Sequence, residues 1–301
     1  MLGRHSCIIV SGGFRINNDV GIKFPTVEVL AGDLGTKKLP NLPEDICSSS
    51  MVEHNGKILL CGGQNNLKNC LQLHHGTWEK HSTLHEERAL HSVVKTKQAT
   101  FLFGGFYRAF TYEYLPKDSN TWFMGKSRIP GGFFNGCAIA VELQNEILLI
   151  GGTRTEKRIL SFNVNDHTFR ELPFHLNVGR DRHSCAFIPN TKKIIVTGGY
   201  KSTSNFLNST EIIDTENGIV TMTECPMNSA RFGHGTGAVT INGKERLTVF
   251  GGRQDWFTWV DSVELYNDKT EKWEVSSMRL NEPKGSFGFL AVKLSDIVST
   301  V

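Results

Sequence analysis

Three short segments of the chain place an arginine three residues before a histidine: Arg88 to His91, Arg180 to His183 and Arg231 to His234. A fourth segment, Lys284 to Phe287, is a basic variant of the same pattern. A guanidinium group binds a carboxylate through two parallel hydrogen bonds, so arginines at a repeated position could recognise an acidic ligand. They could also order the chain where it approaches a strand, by donating to neighbouring carbonyl oxygens. The sequence leaves both uses open.

These segments recur because the chain is built from a repeated unit. Six runs of four mostly apolar residues each end in a glycine pair, at Gly12-Gly13, Gly62-Gly63, Gly104-Gly105, Gly151-Gly152, Gly198-Gly199 and Gly251-Gly252. A short apolar run bounded by glycine predicts a strand that is buried on both faces. The first glycines lie 42 to 53 residues apart. A repeat of this length predicts a propeller or an array of similar units.

Each unit predicts four antiparallel strands. In the sixth unit the strands fall at 233–238, 247–250, 263–266 and from 272 onwards, with a polar turn at 267–270. Four antiparallel strands make one propeller blade, so the sequence predicts an all-β, six-bladed propeller as a single domain over residues 1–301. Large rings begin the fourth strand of several units and are expected to pack between blades, where the glycine pair leaves an opening: Trp78, Trp122, Phe169 and Trp273.

The two ends of the sequence predict how the ring closes. The first unit has no room for an innermost strand, because Arg4 lies only eight residues before Gly12. A strand-like segment at 286–292 follows the sixth unit without a glycine-pair strand after it. We therefore expect a segment at about 285–295 to supply the missing strand of the first blade. The ring would then close with one strand from the C-terminal end and three from the N-terminal end.

The apolar quartet with a double glycine, followed by an aromatic residue and then a tryptophan, resembles the kelch repeat over essentially the whole chain. The chain is similar to the kelch domains of BTB-kelch cullin adaptors. The resemblance implies that the approaches to the innermost strands share one face with the loops after the glycine pairs. It also implies that arginines at the mouth of the central channel grip acidic peptides, here Arg88, Arg180, Arg182 and Arg231. Such a protein would recognise substrates for a ubiquitin ligase, through BTB and BACK domains that this sequence does not contain.

The loops after the glycine pairs carry further candidate partner-binding residues, because interface hot spots favour Trp, Tyr and Arg. The candidates are Tyr107, Arg108, Arg154, Tyr200, Arg253 and Trp256. These loops hold nine cations against three carboxylates, one of them Asp19, and the approaches to the innermost strands hold seven against six. Such a basic excess on one predicted face would attract an acidic ligand. The sequence thus predicts a protein or acidic-peptide partner.

Composition excludes several other classes. A net charge of +3 does not favour a nucleic-acid partner. No apolar run approaches the roughly 20 residues of a membrane span, and the segment after Met1 is too short for a signal peptide. Seven cysteines without close pairs in sequence predict a reducing, cytoplasmic location, with Cys7, Cys61 and Cys185 acting as small hydrophobic residues.

Two other function classes stay open beside the expected binding protein. Kelch propellers include enzymes such as sialic-acid epimerases, and a sialate- or carbohydrate-converting enzyme would need an acid–base residue at the mouth. Glu86, Glu87 and Asp181 are candidates by position. Other kelch proteins cross-link actin, for which no surface is marked. No cofactor or metal site is predicted, because His74-His75 has no further ligand at metal-binding spacing.

Overall fold

The computed structural model describes residues 5–17, 20–141 and 145–298, so Arg4 and Asp19 lie outside the described residues. Six four-stranded antiparallel sheets follow one another along the chain as blades around a central channel. This arrangement confirms the predicted all-β, six-bladed propeller. Among the described helices, none is long and apolar enough to cross a membrane.

Each blade runs from an innermost strand at the channel to an outermost strand at the rim. Blade 1 consists of β28 (Gly288–Lys293), β1 (Ser6–Ser11), β4 (Val27–Leu30) and β5 (Thr36–Leu39). Blade 2 consists of β6 (Ser50–His54), β7 (Lys57–Cys61), β8 (Asn69–His74) and β9 (Thr77–Thr83). Blade 3 consists of β10 (Ser92–Lys95), β11 (Ala99–Phe103), β12 (Tyr112–Pro116) and β13 (Phe123–Met124).

The remaining blades repeat the same order from the channel to the rim. Blade 4 consists of β14 (Cys137–Val141), β15 (Glu146–Ile150), β16 (Ile159–Asn163) and β17 (Phe169–Glu171). Blade 5 consists of β18 (Ser184–Phe187), β19 (Lys193–Thr197), β22 (Thr210–Asp214) and β23 (Ile219–Met222). Blade 6 consists of β24 (Gly235–Ile241), β25 (Lys244–Phe250), β26 (Ser262–Asn267) and β27 (Lys272–Arg279). Two hairpins, a 3₁₀ turn and a short helix complete the described fold: β2 (Phe14–Asn17) with β3 (Val20–Lys23), β20 (Tyr200–Ser202) with β21 (Asn205–Phe206), Gly32–Leu34 and α1 (Leu294–Val298).

The C-terminal strand closes the ring. β28 pairs antiparallel with β1, from Ser6 opposite Lys293 to Ser11 opposite Gly288. Blade 1 therefore takes its innermost strand from one end of the described chain and its other three strands from the opposite end. The predicted mode of closure is confirmed.

Large rings fill the interfaces between blades, as the sequence predicts. Trp122 of blade 3 is buried against blade 2, where its Nε1 donates to Ser82 Oγ at 3.1 Å. The opening left by the first glycine of a pair is filled by a different ring from the one expected. A Cβ atom on Gly62 would lie 2.7 Å from Cε1 of His91, the imidazole at the start of the next blade. His183, His234 and Phe287 occupy the corresponding places over Gly151, Gly198 and Gly251.

A closed ring of six backbone hydrogen bonds encircles the channel just before the innermost strands. Each N–H donates to the carbonyl oxygen of the equivalent residue in the preceding blade at 2.6–3.0 Å. All six residues have a positive φ, between 51° and 60°, although five of them are not glycine: Ser48, Leu90, Asn135, Arg182, Gly233 and Ser286. We call these the ring residues. The positive φ is uncommon for side-chain-bearing residues, and it turns each peptide toward the neighbouring blade.

Candidate functional site

The approaches to the innermost strands share one end of the propeller with the loops after the glycine pairs, and we call this end the loop face. Arg88, Arg180 and Arg231 are completely buried beneath it. Each donates from its guanidinium group to a glutamate on the third strand of its own blade, at 2.9–3.0 Å, and to the carbonyl of the first glycine of the pair. The expectation that these three arginines project into the channel mouth is therefore wrong. Their hydrogen-bonding capacity is used within the blade.

The sequence itself contains a signal that separates the two uses of arginine. The position of Arg88, which we call the lead-in position, faces one residue of the third strand in every blade. The pairs are Lys284 with Glu28, Ile46 with Leu71, Arg88 with Glu113, Phe133 with Leu160, Arg180 with Glu211 and Arg231 with Glu264. A cation occurs where the third strand offers glutamate, and an apolar residue occurs where it offers leucine. Matching between two positions of one blade indicates an internal contact.

Arg182 differs from the other three predicted mouth arginines, because it lines the channel cavity. It is a ring residue, it is half-buried, and the cavity beside it has a volume of about 280 Å³. Its Nε is buried and has no hydrogen-bond partner among the described residues. The backbone N–H of Arg182 is held by Asn135 of blade 4 at 2.9 Å. A guanidinium group that lines the channel and whose Nε lacks a partner is suited to an anionic ligand.

Asp181, which is buried, and Tyr200, which is half-buried, lie beside Arg182. Their backbones are bonded to each other at 2.9 Å in both directions. Burial raises the pKa of Asp181, whose Oδ2 accepts from Thr153 Oγ1 at 2.5 Å, while the charge of Arg182 opposes the rise. Burial also raises the pKa of Tyr200. The Asp181 carboxyl therefore holds a proton more readily than an exposed aspartate does.

Arg253 is not free to meet a partner, in contrast to the prediction. Its guanidinium carbon lies over the rings of Phe232, Trp256 and Trp259, at 5.0, 5.3 and 4.2 Å from the ring centroids. Only 6% of Arg253 is exposed, and burial lowers its pKa to about 10. Trp256 is half-buried against blade 5, where its Nε1 donates to the carbonyl of Thr203 at 2.7 Å. The exposed aromatic residue of this loop is Phe257, at 85%.

The loop of blade 3 presents its predicted residues to solvent. Tyr107 is 45% exposed, and its neighbour Phe106 is 61% exposed. Arg108 is exposed and forms an ion pair with Glu86 at 3.1 Å. Arg154 is exposed in the loop of blade 4. Phe106 directly follows a glycine pair and so lies in a loop from which the sequence predicts partner-binding residues.

The buried pairs change the charge balance of the loop face. Without the four internally paired cations, the approaches to the innermost strands keep three cations against six carboxylates, a net of −3 where the sequence count had +1. The loops after the glycine pairs keep their net of +6, counting Asp19. The basic excess therefore belongs to the loops after the glycine pairs. The four buried cation–glutamate pairs beneath them are internally neutral.

Four of the seven cysteines form disulfides, so the expectation of reduced cysteines is wrong for these four, and Cys61 and Cys185 are not the free, small hydrophobic residues that the sequence predicted. Cys61 is bonded to Cys70 on the adjacent strand of blade 2, and Cys137 of blade 4 is bonded to Cys185 of blade 5. Cys7 is a free, buried cysteine, as predicted. Within the described ranges, no group of three His, Cys, Asp or Glu side chains is placed to hold a metal ion.

No protein-family model matches the chain, and no curated protein matches it at a significant level. The six-bladed propeller is shown by the structure, and propellers of this kind commonly serve as protein-interaction modules. The kelch resemblance stays a prediction that depends on the repeats.

Proposed function

We propose that the protein binds an acidic segment of a partner protein on its loop face, across the mouth of the channel. The observation that carries the proposal is Arg182, which lines the channel cavity with an Nε that has no hydrogen-bond partner among the described residues, next to Asp181, whose pKa burial raises. A carboxylate from a partner would supply the missing acceptor. This role is consistent with the interaction modules that propellers often form.

The outer loops supply the remaining contacts of the proposed interface. Exposed cations flank the mouth at Arg154, Lys157 and Lys201, and exposed rings flank it at Phe106, Tyr107 and Phe257. Cations draw an acidic partner toward the surface, and aromatic side chains provide contact area at a small entropic cost. We therefore expect a partner segment in which acidic residues alternate with apolar or aromatic ones.

The kelch resemblance supports a narrower version of the proposal. A kelch propeller that is joined to BTB and BACK domains recognises substrates for a cullin ubiquitin ligase. The same role for this chain would depend on domains outside the sequence. Association with a cullin, measured with the full-length gene product, tests this version separately from peptide binding.

Selection from a random peptide display library tests the proposal without a known partner. We expect the selected peptides to be enriched in Asp and Glu, and their binding to weaken as salt is added. Arg182→Ala should weaken binding by about 1.5–3 kcal/mol, or about ten- to a hundredfold, because one charged hydrogen bond is lost.

The matched control is Lys269→Ala, an exposed cation in the turn between β26 and β27 at the opposite end of the blade. It should leave both affinity and thermal stability unchanged. Selected peptides without acidic enrichment, or equal affinity for Arg182→Ala and the parent protein, would show that the proposal is wrong.

A second candidate function is conversion of a sialic acid or a related carbohydrate, and Asp181 favours it. A buried carboxyl group whose pKa is raised, beside Thr153 and Tyr200, could act as a general acid at the mouth. Glu86 is less suited, since it is paired with Arg88 and Arg108. The test is NMR exchange spectroscopy with free sialic acids. Exchange that requires the protein and disappears in Asp181→Asn would favour the enzyme, and its absence would exclude this candidate.

A further inference from the structure

The innermost strands of blades 2, 3 and 4 contact the next blade through equivalent residues. Two positions after the ring residue stand Ser50, Ser92 and Cys137. Ser50 Oγ donates to the carbonyl of His91 at 2.8 Å, and Ser92 Oγ donates to the carbonyl of Gly136 at 2.8 Å. In blade 4 the serine is replaced by Cys137, which is bonded to Cys185 of blade 5. One seam between blades is thus covalent where its neighbours are hydrogen-bonded.

The two disulfides of the described chain differ in their access to small molecules. Cys137 and Cys185 both line the channel cavity, and Cys137 is partly exposed. Their Cα atoms are 6.0 Å apart, within the usual range for disulfides. Cys61 and Cys70 have no exposed surface, because they lie opposite each other in the interior of blade 2. A reagent in the channel can therefore reach one bond, and the other is shielded by the packed sheets.

We propose that the Cys137–Cys185 bond is a thiol–disulfide exchange site of the folded propeller, which low-molecular-weight thiols reach through the channel. A thiolate attacks Cys137 Sγ and forms a mixed disulfide, and Cys185 leaves as a thiolate that takes a proton from water. A second thiol attacks the small-molecule sulfur of the mixed disulfide and releases Cys137. Two small thiols are oxidised to their disulfide, and the protein gains two electrons and two protons.

The position of the bond connects this exchange to the loop face. Cys137 and Cys185 follow the ring residues Asn135 and Arg182 by two and three positions. The hydrogen bond between those two ring residues crosses the same seam at 2.9 Å. Reduction removes the covalent link directly beneath Arg182 and leaves the backbone ring to hold the seam. The inference does not depend on the proposed ligand.

The test is the order in which the cysteines react in the folded protein. The unreduced protein is incubated with millimolar glutathione, sampled over time, alkylated and analysed by peptide mass spectrometry. We expect Cys137 and Cys185 to be labelled at least about ten times faster than Cys61 and Cys70, because a shielded bond reacts only after local opening. Equal rates for both pairs, prior reaction of Cys61 and Cys70, or free thiols at all four positions before reduction would overturn the proposal.

A matched variant replaces the disulfide with the residues of the neighbouring seam. Cys137→Ser with Cys185→Ala copies the seam between blades 3 and 4, where Ser92 and Ala138 stand at the same positions. The thermal midpoint of the parent protein should fall on addition of the thiol, and that of the double variant should not respond. Cys225→Ser, at a free half-buried cysteine, should behave like the parent. A double variant that still responds to the thiol would identify Cys61–Cys70 as the exchanging bond, and the proposal would be wrong.

Discussion

Blades 3 and 4 are neighbours with the same strand order, but their lead-in positions have opposite chemistry. In blade 3 the buried guanidinium group of Arg88 donates to Glu113 at 3.0 Å. In blade 4 the corresponding Phe133 and Leu160 belong to one apolar cluster. The two pairs occupy equivalent positions, one in the lead-in and one on the third strand. The comparison shows that the arginine follows the glutamate of its own blade, so its presence alone does not indicate a ligand.

The cation–glutamate pair has a structural role that the apolar pair lacks. Glu113 accepts hydrogen bonds from the backbone N–H groups of His85 and Glu86, at 2.7 and 3.2 Å. Glu211 and Glu264 hold the preceding loop of their blades in the same way. A buried ion pair contributes little net free energy, because desolvation of the charges offsets their attraction. Its structural effect is to fix the loop that leads into the innermost strand.

The largest effect is expected from removing residues 284–301, which takes away both the charged lead-in of blade 1 and its innermost strand. Glu28 would lose Lys284, its partner at 2.8 Å, and β1 would become an open edge. We expect aggregation or loss of cooperative unfolding, because an unpaired edge recruits other chains. Size-exclusion chromatography and thermal unfolding measure the effect. Removal of residues 299–301 is the control, and a soluble longer truncation with an unchanged midpoint would contradict the closure.

Glu113→Leu removes the acidic partner of the blade 3 pair and leaves Arg88 buried without that carboxylate. Removing one partner of a buried ion pair typically costs about 3–5 kcal/mol. We expect a loss of that size in the free energy of unfolding, measured by denaturant titration. Exchange of an exposed glutamate, Glu87→Leu, is the control and should change stability little. A cost below about 1 kcal/mol would mean that the pair is not part of the scaffold.

Arg88→Phe combined with Glu113→Leu copies the apolar pair of blade 4, Phe133 and Leu160, into blade 3. The unpaired charge is gone, so the double variant should be more stable than Glu113→Leu alone. A deficit of about 1–3 kcal/mol should remain, because the N–H groups of His85 and Glu86 lose their acceptor. Denaturant titration of both variants measures the difference. A double variant less stable than the single one would show that the two lead-in designs are not interchangeable.

A pH-dependent effect is expected from the imidazoles that fill the glycine openings. Burial, with a further contribution from Arg88, lowers the pKa of His91 to about 3. The unfolded chain therefore binds a proton near pH 6.5 that the folded protein does not bind. Stability from this group is complete above pH 6.5 and is lost as the pH falls toward 3, by up to about 1.4 kcal/mol per pH unit.

His91→Phe tests this dependence, because Phe287 already fills the corresponding place in blade 1. The free energy of unfolding should lose that part of its pH dependence, measured between pH 7 and pH 5. An exposed histidine exchanged in the same way, His75→Phe, is the control. The same slope in His91→Phe and in the parent protein would contradict the prediction.

The sequence was sufficient for the fold because its signals are repeated and local. Glycine pairs, apolar quartets and the strand at 286–292 each report on backbone geometry, and six copies in register leave little choice of architecture. The site was harder to predict, because the fate of an arginine depends on contacts across the blade. Arg180 and Arg182 are two residues apart, yet one is buried against Glu211 and the other lines the channel. Residue type does not distinguish Arg180 from Arg182, whereas the glutamate on the third strand identifies Arg180 as the internally paired one.

The disulfide between Cys137 and Cys185 was not predicted from the sequence for a related reason. Cys137 and Cys185 are 48 residues apart and meet only because equivalent positions of adjacent blades lie side by side. Sequence distance hides such a pair, and blade register reveals it. Phe257 was also missed, because its two tryptophan neighbours carry the stronger compositional signal and both pack inward.

The six ring residues also make the channel mouth easy to redesign. Their backbone groups satisfy one another around a closed circle, while their side chains are as different as serine, leucine, asparagine, arginine and glycine. The backbone hydrogen bonds of the circle therefore do not depend on the identity of the ring side chains, except that the left-handed backbone conformation disfavours β-branched residues. We expect that the side chains at the six ring positions can be exchanged while the circle of backbone hydrogen bonds is kept. The six ring positions are therefore the first ones to substitute when a different ligand preference is wanted.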